Sequence, residues 1–403
     1  MVRRMDTSKV RSLSGGARQQ GMRNHNERLL LSMIQRYGEM PSSELARLSG
    51  LSAQTVSVIM RKLIDEGLLK KGKPQKGKVG KPSTPLTLAH NGVYSFGLNI
   101  GRRSAEILLM DFRGTVQNRL HHSYPYPLPE TVFAFLKSGI DILLQDLRPR
   151  EISRISGIGI AAPHEFWNWN EYVGAPKEEF KQWLDIDFPT EIAKFSMLPV
   201  YRINDATAAC RAEHVFGRGK EFRDYAYFFV GAFVGGGIVL NHSVFEGNQK
   251  NAGAFASIPS SGGSQTATNL LDLASIYVLE TALVDKGINP EILWVRPQNW
   301  ESFPTLLENW IDQSARELAR AIISVCAVID FEAILIDGAF PSDVRQKLVA
   351  RTRAHFQNLD TRGIISPEIK QGSIGEDAPA IGAACGPVIS QFFINTNAGL
   401  PAL

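Results

Sequence analysis

The first ninety residues contain apolar positions at helical spacing, which predict three short helices. The first helix ends before Gly38, and the second lies in the segment PSSELARLSG between Pro41 and Gly50. Ser52 suits the N-cap of the third helix, and Gly67 closes it. The buried stripe of the third helix is predicted to consist of Val56, Ile59, Met60 and Leu63. Two short helices joined by a tight, glycine-containing turn are typical of a helix-turn-helix.

The outward face of the third helix is predicted to read DNA. Its side chains are small, polar or basic, which suits a major groove. Gln pairs with adenine, Arg pairs with guanine, and Ser or Thr fits phosphates and base edges. The sequence therefore predicts contacts with double-stranded DNA from Ser52, Gln54, Thr55, Ser57, Arg61 and Lys62.

A basic loop follows the third helix and predicts a β-wing. Two short apolar runs, Leu68–Leu69 and Leu86–Leu88, flank a segment rich in Lys, Gly and Pro. Such a loop can lie along phosphates or enter a minor groove. We expect DNA contacts from Lys76, Lys78 and Lys81. A winged-helix module that binds proteins has a similar pattern and remains an alternative.

The net charge changes sign near residue 90, where the helix-turn-helix pattern also ends. Residues 1–90 carry a net charge of +11, whereas residues 91–403 carry −7. A basic front end on an acidic body indicates that the front end alone meets a polyanion, although a solubilising tail would look similar. Residues 1–22 lack apolar periodicity and are predicted to be a flexible basic arm.

From Val93 onward, strand patterns alternate with helical patterns. This order predicts an α/β fold with mixed sheets covered by helices, and a length of 403 residues predicts two or three domains. The longest weakly charged stretch, Tyr225 to Leu240, is too short to span a membrane and contains four glycines. The basic N-terminus has no apolar signal region, so we expect a cytoplasmic protein. Its three widely spaced cysteines exclude a disulfide framework.

The order of the motifs in the body resembles the ROK family, named for repressors, open reading frames and kinases. The resemblance rests on FGLNIG, GIGIAAP, RINDATAACRAE, VGAFVGGGIVLN, GNQKNAGAF and ILIDGAF. It implies an actin-like, sugar-kinase-like body of two α/β lobes around a cleft, with the winged helix-turn-helix of the repressor branch in front. The implied limits are 23–90 for the winged helix-turn-helix, 91–205 plus 378–395 for the first lobe, and 206–377 for the second lobe.

Both phosphate loops of the family's kinases are altered in this chain. The resemblance places Asn99–Arg103 where those kinases have Asp-x-Gly-Gly-Thr, so the metal-side carboxylate is replaced and two arginines enter the loop. It places Gly231–Gly235 at the second loop, Gly-Thr-Gly-x-Gly, where Phe233 blocks the approach of a phosphate. Phosphoryl transfer depends on these parts, so we expect no catalysis and no nucleotide or metal cofactor.

The sugar side of the cleft is partly retained. Asn204 and Asp205 match the family's Asn-Asp pair, which holds sugar hydroxyls and, in kinases, supplies the general base. Turn capping is the alternative role for this pair. His164 and Glu165 follow Pro163, where the family approaches its sugar, and we expect both to contact the ligand. A surface loop that packs its own tryptophans would show the same sequence.

The family's zinc motif is replaced. Ala254 and Ser257 stand where the resemblance expects a sugar-binding Glu and a zinc-binding His. The stretch SSGGSQTAT at 260–268 replaces the family's cysteine cluster, and no thiolates remain there for tetrahedral zinc. We therefore expect no structural zinc, and a ligand that need not be a glucose-like hexose.

These observations predict a DNA-binding transcriptional regulator, most simply a repressor, controlled by a sugar-like effector in a non-catalytic ROK body. We expect a homodimer or homotetramer on a double-stranded operator. Two alternatives stay open. One is a sugar kinase with an accessory DNA-binding domain, and the other is a constitutive DNA binder whose ligand site is vestigial.

Overall fold

The computed structural model describes residues 24–74, 84–164, 174–260 and 268–394. The N-terminal unit, here called the head, folds as a winged helix-turn-helix, as predicted. Gly50 adopts a φ of +70° between the second and third helices, a conformation that favours glycine. The head consists of α1 (His25–Tyr37), α2 (Ser42–Ser49), α3 (Ala53–Asp65), β1 (Leu69–Lys71) and β2 (Leu86–Leu88).

The remainder of the chain, here called the body, begins with a five-stranded sheet in the order β5-β4-β3-β6-β7. Strands β3, β6 and β7 run parallel, whereas β4 and β5 are antiparallel to their neighbours. The carboxyl ends of the three parallel strands therefore meet at one edge of this first sheet. Its elements are β3 (Tyr94–Ile100), β4 (Ser104–Asp111), β5 (Val116–Ser123), α4 (Pro129–Leu144), α5 (Pro149–Ile152), β6 (Ile155–Ala162), α6 (Lys177–Phe180), α7 (Phe188–Ala193) and β7 (Val200–Asn204).

A second five-stranded sheet has the order β10-β9-β8-β13-β14. The predicted hairpin at 224–247 forms β8 and β9, and it continues into a third antiparallel strand. Among the described residues, no helix combines the length and the apolar character needed to cross a membrane. The elements of this half are α8 (Asp205–Phe216), β8 (Tyr225–Val230), β9 (Val234–Leu240), β10 (Ser243–Phe245), β11 (Pro259–Ser260), β12 (Thr268–Asn269), α9 (Leu271–Ala274), α10 (Ile276–Asp285), α11 (Pro304–Val328), β13 (Ala333–Gly338), α12 (Ser342–Gln357), β14 (Glu368–Gln371) and α13 (Ala378–Phe392).

The last helix, α13, lies directly on the first sheet. Two glycines of that sheet make the close approach possible, because a Cβ at Gly159 would lie 1.8 Å from the carbonyl oxygen of Ala383. At Gly97 the corresponding distance to the Ala380 oxygen is 2.1 Å. Backbone contact this close leaves little room for the helix to slide on the sheet.

The head is docked on the body rather than suspended from it. Phe112, Val388 and Phe393 of the body belong to the same buried apolar cluster as the core of the head. Arg154 of the body donates hydrogen bonds to carbonyl oxygens just after α3 and before β3, including a 2.8 Å bond to Asn91. From the other side, Arg28 of α1 donates to the carbonyl oxygens of Ile389 and Phe393. The Ile389 carbonyl also accepts the backbone N–H of Phe393, so the bonds from Arg28 reinforce the carboxyl end of α13.

Candidate functional site

The exposed face of α3 carries the predicted DNA-reading residues. Val56, Met60 and Leu63 are buried against the rest of the head, and Ile59 is half-buried. Rotation about the helix therefore turns Gln54, Ser57, Val58 and Arg61 toward solvent. Val58 is 61% exposed, so the face also offers an apolar group to a thymine methyl.

Some of the predicted DNA contacts also take part in bonds within the head. The Ser52 hydroxyl accepts the backbone N–H of Thr55 at 3.1 Å and caps α3, and the two hydroxyls lie 2.9 Å apart. Lys62 donates to the buried carboxylate of Glu27 at 2.5 Å. The side chains of Gln54, Ser57 and Arg61 form no hydrogen bond or ion pair with the described residues, which leaves them available.

The two strands of the predicted wing are present, but most of the segment between them lies outside the described residues. Strands β1 and β2 pair antiparallel, with Leu69 opposite Leu88. Lys76, Lys78 and Lys81 lie outside the described residues. Their contacts with DNA stay a prediction.

A cavity of 350 Å³ lies between the two sheets, at the carboxyl edge of the first. Asn204, Asp205 and His164 all line it, so the fold brings together three of the four predicted ligand residues. They meet because β6 and β7 are parallel neighbours that end at the same edge. Glu165 lies outside the described residues.

Asn204 performs the alternative role of capping and still faces the cavity. Its side-chain oxygen accepts the backbone N–H of Thr207 at 3.1 Å and the Thr207 hydroxyl at 3.3 Å, which caps α8. The side-chain nitrogen Nδ2 of Asn204 makes no hydrogen bond with the described residues. A helix cap thus fixes the side chain in place while one end stays available to a ligand.

Asp205 is the first residue of α8, and one of its carboxylate oxygens accepts the backbone N–H of Ala206 at 2.8 Å. Burial raises the pKa of Asp205 to about 6, although backbone hydrogen bonds oppose the shift. No cation is paired with this carboxylate among the described residues. The group is therefore an acceptor held without a counter-charge, which is suited to ligand hydroxyls.

The first phosphate loop is occupied by an ion cluster. The guanidinium groups of Arg102 and Arg103 both bind the carboxylate of Glu280 on α10, at 2.9 Å and 2.6 Å. The glutamate side chain is 6% exposed and belongs to the opposite half of the body. We call this cluster the interlobe latch, because it joins the loop after β3 to α10 in the other half of the body.

Phe233 of the second loop packs against the same cluster. The Arg102 guanidinium lies 5.5 Å from the centre of the Phe233 ring and 5.7 Å from the ring of Tyr277. The backbone N–H of Val234 donates to the Ser275 hydroxyl at 2.9 Å. The arginine, the aromatic rings and this bonded N–H thus crowd the segment that the resemblance aligns with the second phosphate loop.

A second ion cluster at the cavity wall was not found from the sequence. Arg296 binds Glu106 of β4 at 2.6 Å and Asp377 before α13 at 3.2 Å. Burial, and then repulsion from Asp377, raise the pKa of Glu106 to about 7, while Arg296 lowers it. These residues come from three distant parts of the chain, and no local motif marks any of them.

The described residues contain no group of three or more His, Cys, Asp or Glu side chains that could hold a metal ion. Ala254 and Ser257 line the cavity, so its wall lacks the family's Glu and His there. Residues 261–267, most of the stretch that replaces the cysteine cluster, lie outside the described part of the chain. The absence of structural zinc stays a prediction.

The head and the body each match a known protein family. Residues 23–70 match a winged helix-turn-helix DNA-binding family, and residues 95–259 match the ROK family. Residues 95–259 thus form a ROK-family domain, and residues 23–70 form a winged helix-turn-helix in front of it. This confirms the predicted family and the predicted fold class.

Three known proteins illustrate the range of this family. The xylose repressor of Bacillus spizizenii is 26% identical over 55% of this chain and 57% of its own length. The structure of a ROK family transcriptional regulator, a homologue of the E. coli MLC protein, has a TM-score of 0.63 at 21% identity, covering 90% of this chain and 95% of that one. A ROK glucokinase from Streptomyces griseus, solved with glucose and AMPPNP, has a TM-score of 0.56 at 17% identity, covering 72% of this chain and 98% of that one.

Proposed function

We propose that this ROK protein is a DNA-binding transcriptional repressor whose body responds to a sugar-like effector in the cleft. One observation carries the proposal: a head with an exposed DNA-reading face is docked on a body whose polar cavity remains open while its phosphate loops are filled. The similarity to a xylose repressor supports the same conclusion. The protein acts in the cytoplasm as a dimer or tetramer, since paired half-sites require paired heads.

Helix α13 supplies a physical link between effector and operator. Pro379 at its start lines the cavity, and its last residues contact the head through Arg28. Because α13 lies backbone to backbone on the first sheet, a movement of that sheet carries the helix with it. An effector that binds one arrangement of the two sheets more tightly than another therefore biases the position of the head.

The experiment that tests this function is titration of an operator complex with sugars. Full-length protein is bound to a labelled duplex from its own upstream region, and pentoses, hexoses, amino sugars and their phosphates are added at constant ionic strength. We expect one chemical class to lower operator affinity at least fivefold, which is the usual lower range of allosteric coupling. If every sugar leaves the affinity unchanged, the constitutive DNA binder replaces the regulated repressor.

Replacement of Arg61 tests the DNA-reading face. If Arg61 reads a guanine, Arg61→Ala is expected to weaken operator binding by about 1–3 kcal/mol. The loss for an unrelated duplex should be smaller, because a base contact adds nothing there. Fluorescence anisotropy at several salt concentrations separates the two effects. Lys137→Ala removes the same charge from the exposed surface of α4 and serves as the control.

The second candidate function is a sugar kinase, and the structural similarity to a ROK glucokinase is the observation that favours it. We propose that the body is not catalytic, because Arg102 and Phe233 occupy both phosphate loops. ATP consumption measured across the same sugars separates the two candidates. Sugar-dependent turnover that disappears in Asp205→Ala would establish the kinase.

A further inference from the structure

A second cavity, distinct from the cleft, lies where the head meets the body. It has a volume of 590 Å³ and is lined by α1 on one side and by β7, α8, the β9–β10 turn and α13 on the other. We call it the junction basin. Volumes of 300–1,000 Å³ are typical of small-molecule sites.

The junction basin is strongly basic although the body as a whole is acidic. Six cationic side chains line it: Arg28, Arg36, Arg202, Arg211, Lys220 and Lys250. Glu246 is the only carboxylate among the described lining residues, and it is already bonded to Arg211 at 2.5 Å. The basin therefore holds a large excess of positive charge.

Four of these cations have no ionic partner among the described residues. Arg36 donates instead to the neutral ring nitrogen Nδ1 of His242 at 2.7 Å, and Arg202 lies 5.3 Å from the centre of the Phe188 ring. Lys220 and Lys250 form no ion pair with any described residue. Only a mobile counter-ion or a bound anion can balance these charges.

Arg36 lies close enough to Lys220 to destabilise the charge of that lysine. Burial and then the charge of Arg36 lower the pKa of Lys220. Burial and Arg36 also lower the pKa of His214 to about 4, despite a hydrogen bond from its ring to the carbonyl oxygen of His242. Besides Arg36, two charged groups face His242: Asp224 raises the pKa of its ring, and Arg223 lowers it. An anion placed between Arg36 and Lys220 would relieve this repulsion.

We propose that the junction basin binds a small phosphorylated metabolite, whose phosphate lies between Arg36 of the head and Lys220 of the body. A phosphate dianion accepts several charge-assisted hydrogen bonds at once, which a single carboxylate cannot do to the same extent. The basin is enclosed by α1 on one side and by the body on the other. This shape favours binding of a small molecule, because a DNA duplex is too wide to enter between the two walls. Such a ligand would bridge the two units directly, by a route that does not pass through the cleft.

The test uses full-length protein and isothermal titration at constant ionic strength, with inorganic phosphate, glucose 6-phosphate and glucose as probes. We expect inorganic phosphate and glucose 6-phosphate to bind in the junction basin. Glucose should not bind there. Lys220→Gln and Arg36→Gln should each weaken this binding about tenfold, because each removes one of the two cations between which the phosphate is proposed to lie. Lys137→Gln, an exposed lysine on α4, should leave it unchanged, and thermal melting checks that every variant is folded.

Two further arms separate the basin from the cleft and from DNA. Asp205→Asn should leave inorganic phosphate binding intact, since Asp205 lines the other cavity. Equal phosphate affinity in wild type, Lys220→Gln and Arg36→Gln would overturn the proposal, as would an absence of binding at millimolar phosphate. If these variants weaken only duplex binding, the basin is a contact for the DNA backbone instead.

Discussion

Asp205→Asn is expected to abolish the response to the effector while leaving operator affinity within about twofold of wild type. The carboxylate lines the cleft cavity and has no paired cation, so its free oxygen is available to ligand hydroxyls. The amide keeps the shape of the side chain but loses the charge, and a charged acceptor contributes about 1.5–3 kcal/mol to a hydrogen bond. Anisotropy of the labelled operator, measured with and without the inducing sugar, gives both values.

The same substitution should raise the stability of the protein at neutral pH. Burial raises the pKa of Asp205 to about 6 in the folded state, above the ordinary value of 3.8. Between these values the folded state binds more protons than the unfolded state, so stability falls as the pH rises through this window. A shift of about two pKa units corresponds to at most about 3 kcal/mol. Asp205→Asn should therefore raise the melting temperature at pH 7.5, and the gain should shrink toward pH 4.

Asp141→Asn provides the control, because it removes an exposed carboxylate from α4 and should change neither property. An Asp205→Asn protein that still released its operator normally would show that the effector binds elsewhere. A variant without any stability gain at pH 7.5 would show that water reaches the carboxylate freely.

Glu280→Gln is expected to cost about 3–5 kcal/mol of stability. The substitution leaves the guanidinium groups of Arg102 and Arg103 in a partly buried position without their shared carboxylate, and removal of one partner from a buried ion pair costs about that much. Denaturant unfolding followed by tryptophan fluorescence measures the change.

Glu308→Gln is a closely matched control. Glu308 also binds two cations, Lys347 and Arg351, but its side chain is 37% exposed, compared with 6% for Glu280. An exposed cluster of this kind contributes about 1 kcal/mol or less. Equal losses in the two variants would contradict the view that the interlobe latch is a buried structural cluster.

The head and the order of the body elements could be predicted because their signals are local. The apolar stripe of α3, its Ser52 cap and the stop at Gly67 lie within sixteen residues, and each has a direct physical reason. The position of Phe233 at the cleft could also be predicted, since the resemblance places it inside the second loop. Adjacent parallel strands then accounted for the meeting of His164 with Asn204 and Asp205.

The ion clusters and the junction basin could not be predicted in this way. Arg102 and Glu280 are separated by 178 positions, and the glutamate lies in a helix whose sequence gives no sign of its partner. Lys62 was predicted as a DNA contact, yet its ammonium group binds Glu27 of α1, a pairing that depends on how two helices cross. The net charge of the body is negative, so a count along the sequence gives no sign of the junction basin. The basin is basic because five separate segments bring their cations together.

The mutual packing of Arg102, Glu280 and Phe233 also limits how this protein can change. Arg102→Gly alone would leave Glu280 with one cation and a void beside the Phe233 ring. Phe233→Gly alone would remove the ring on which the Arg102 guanidinium rests and would leave the arginine in the loop. Each single substitution would therefore destabilise the protein and leave the other bulky side chain in place. Under the proposed non-catalytic function, a descendant of this chain that acquired nucleotide binding would have to change both residues together.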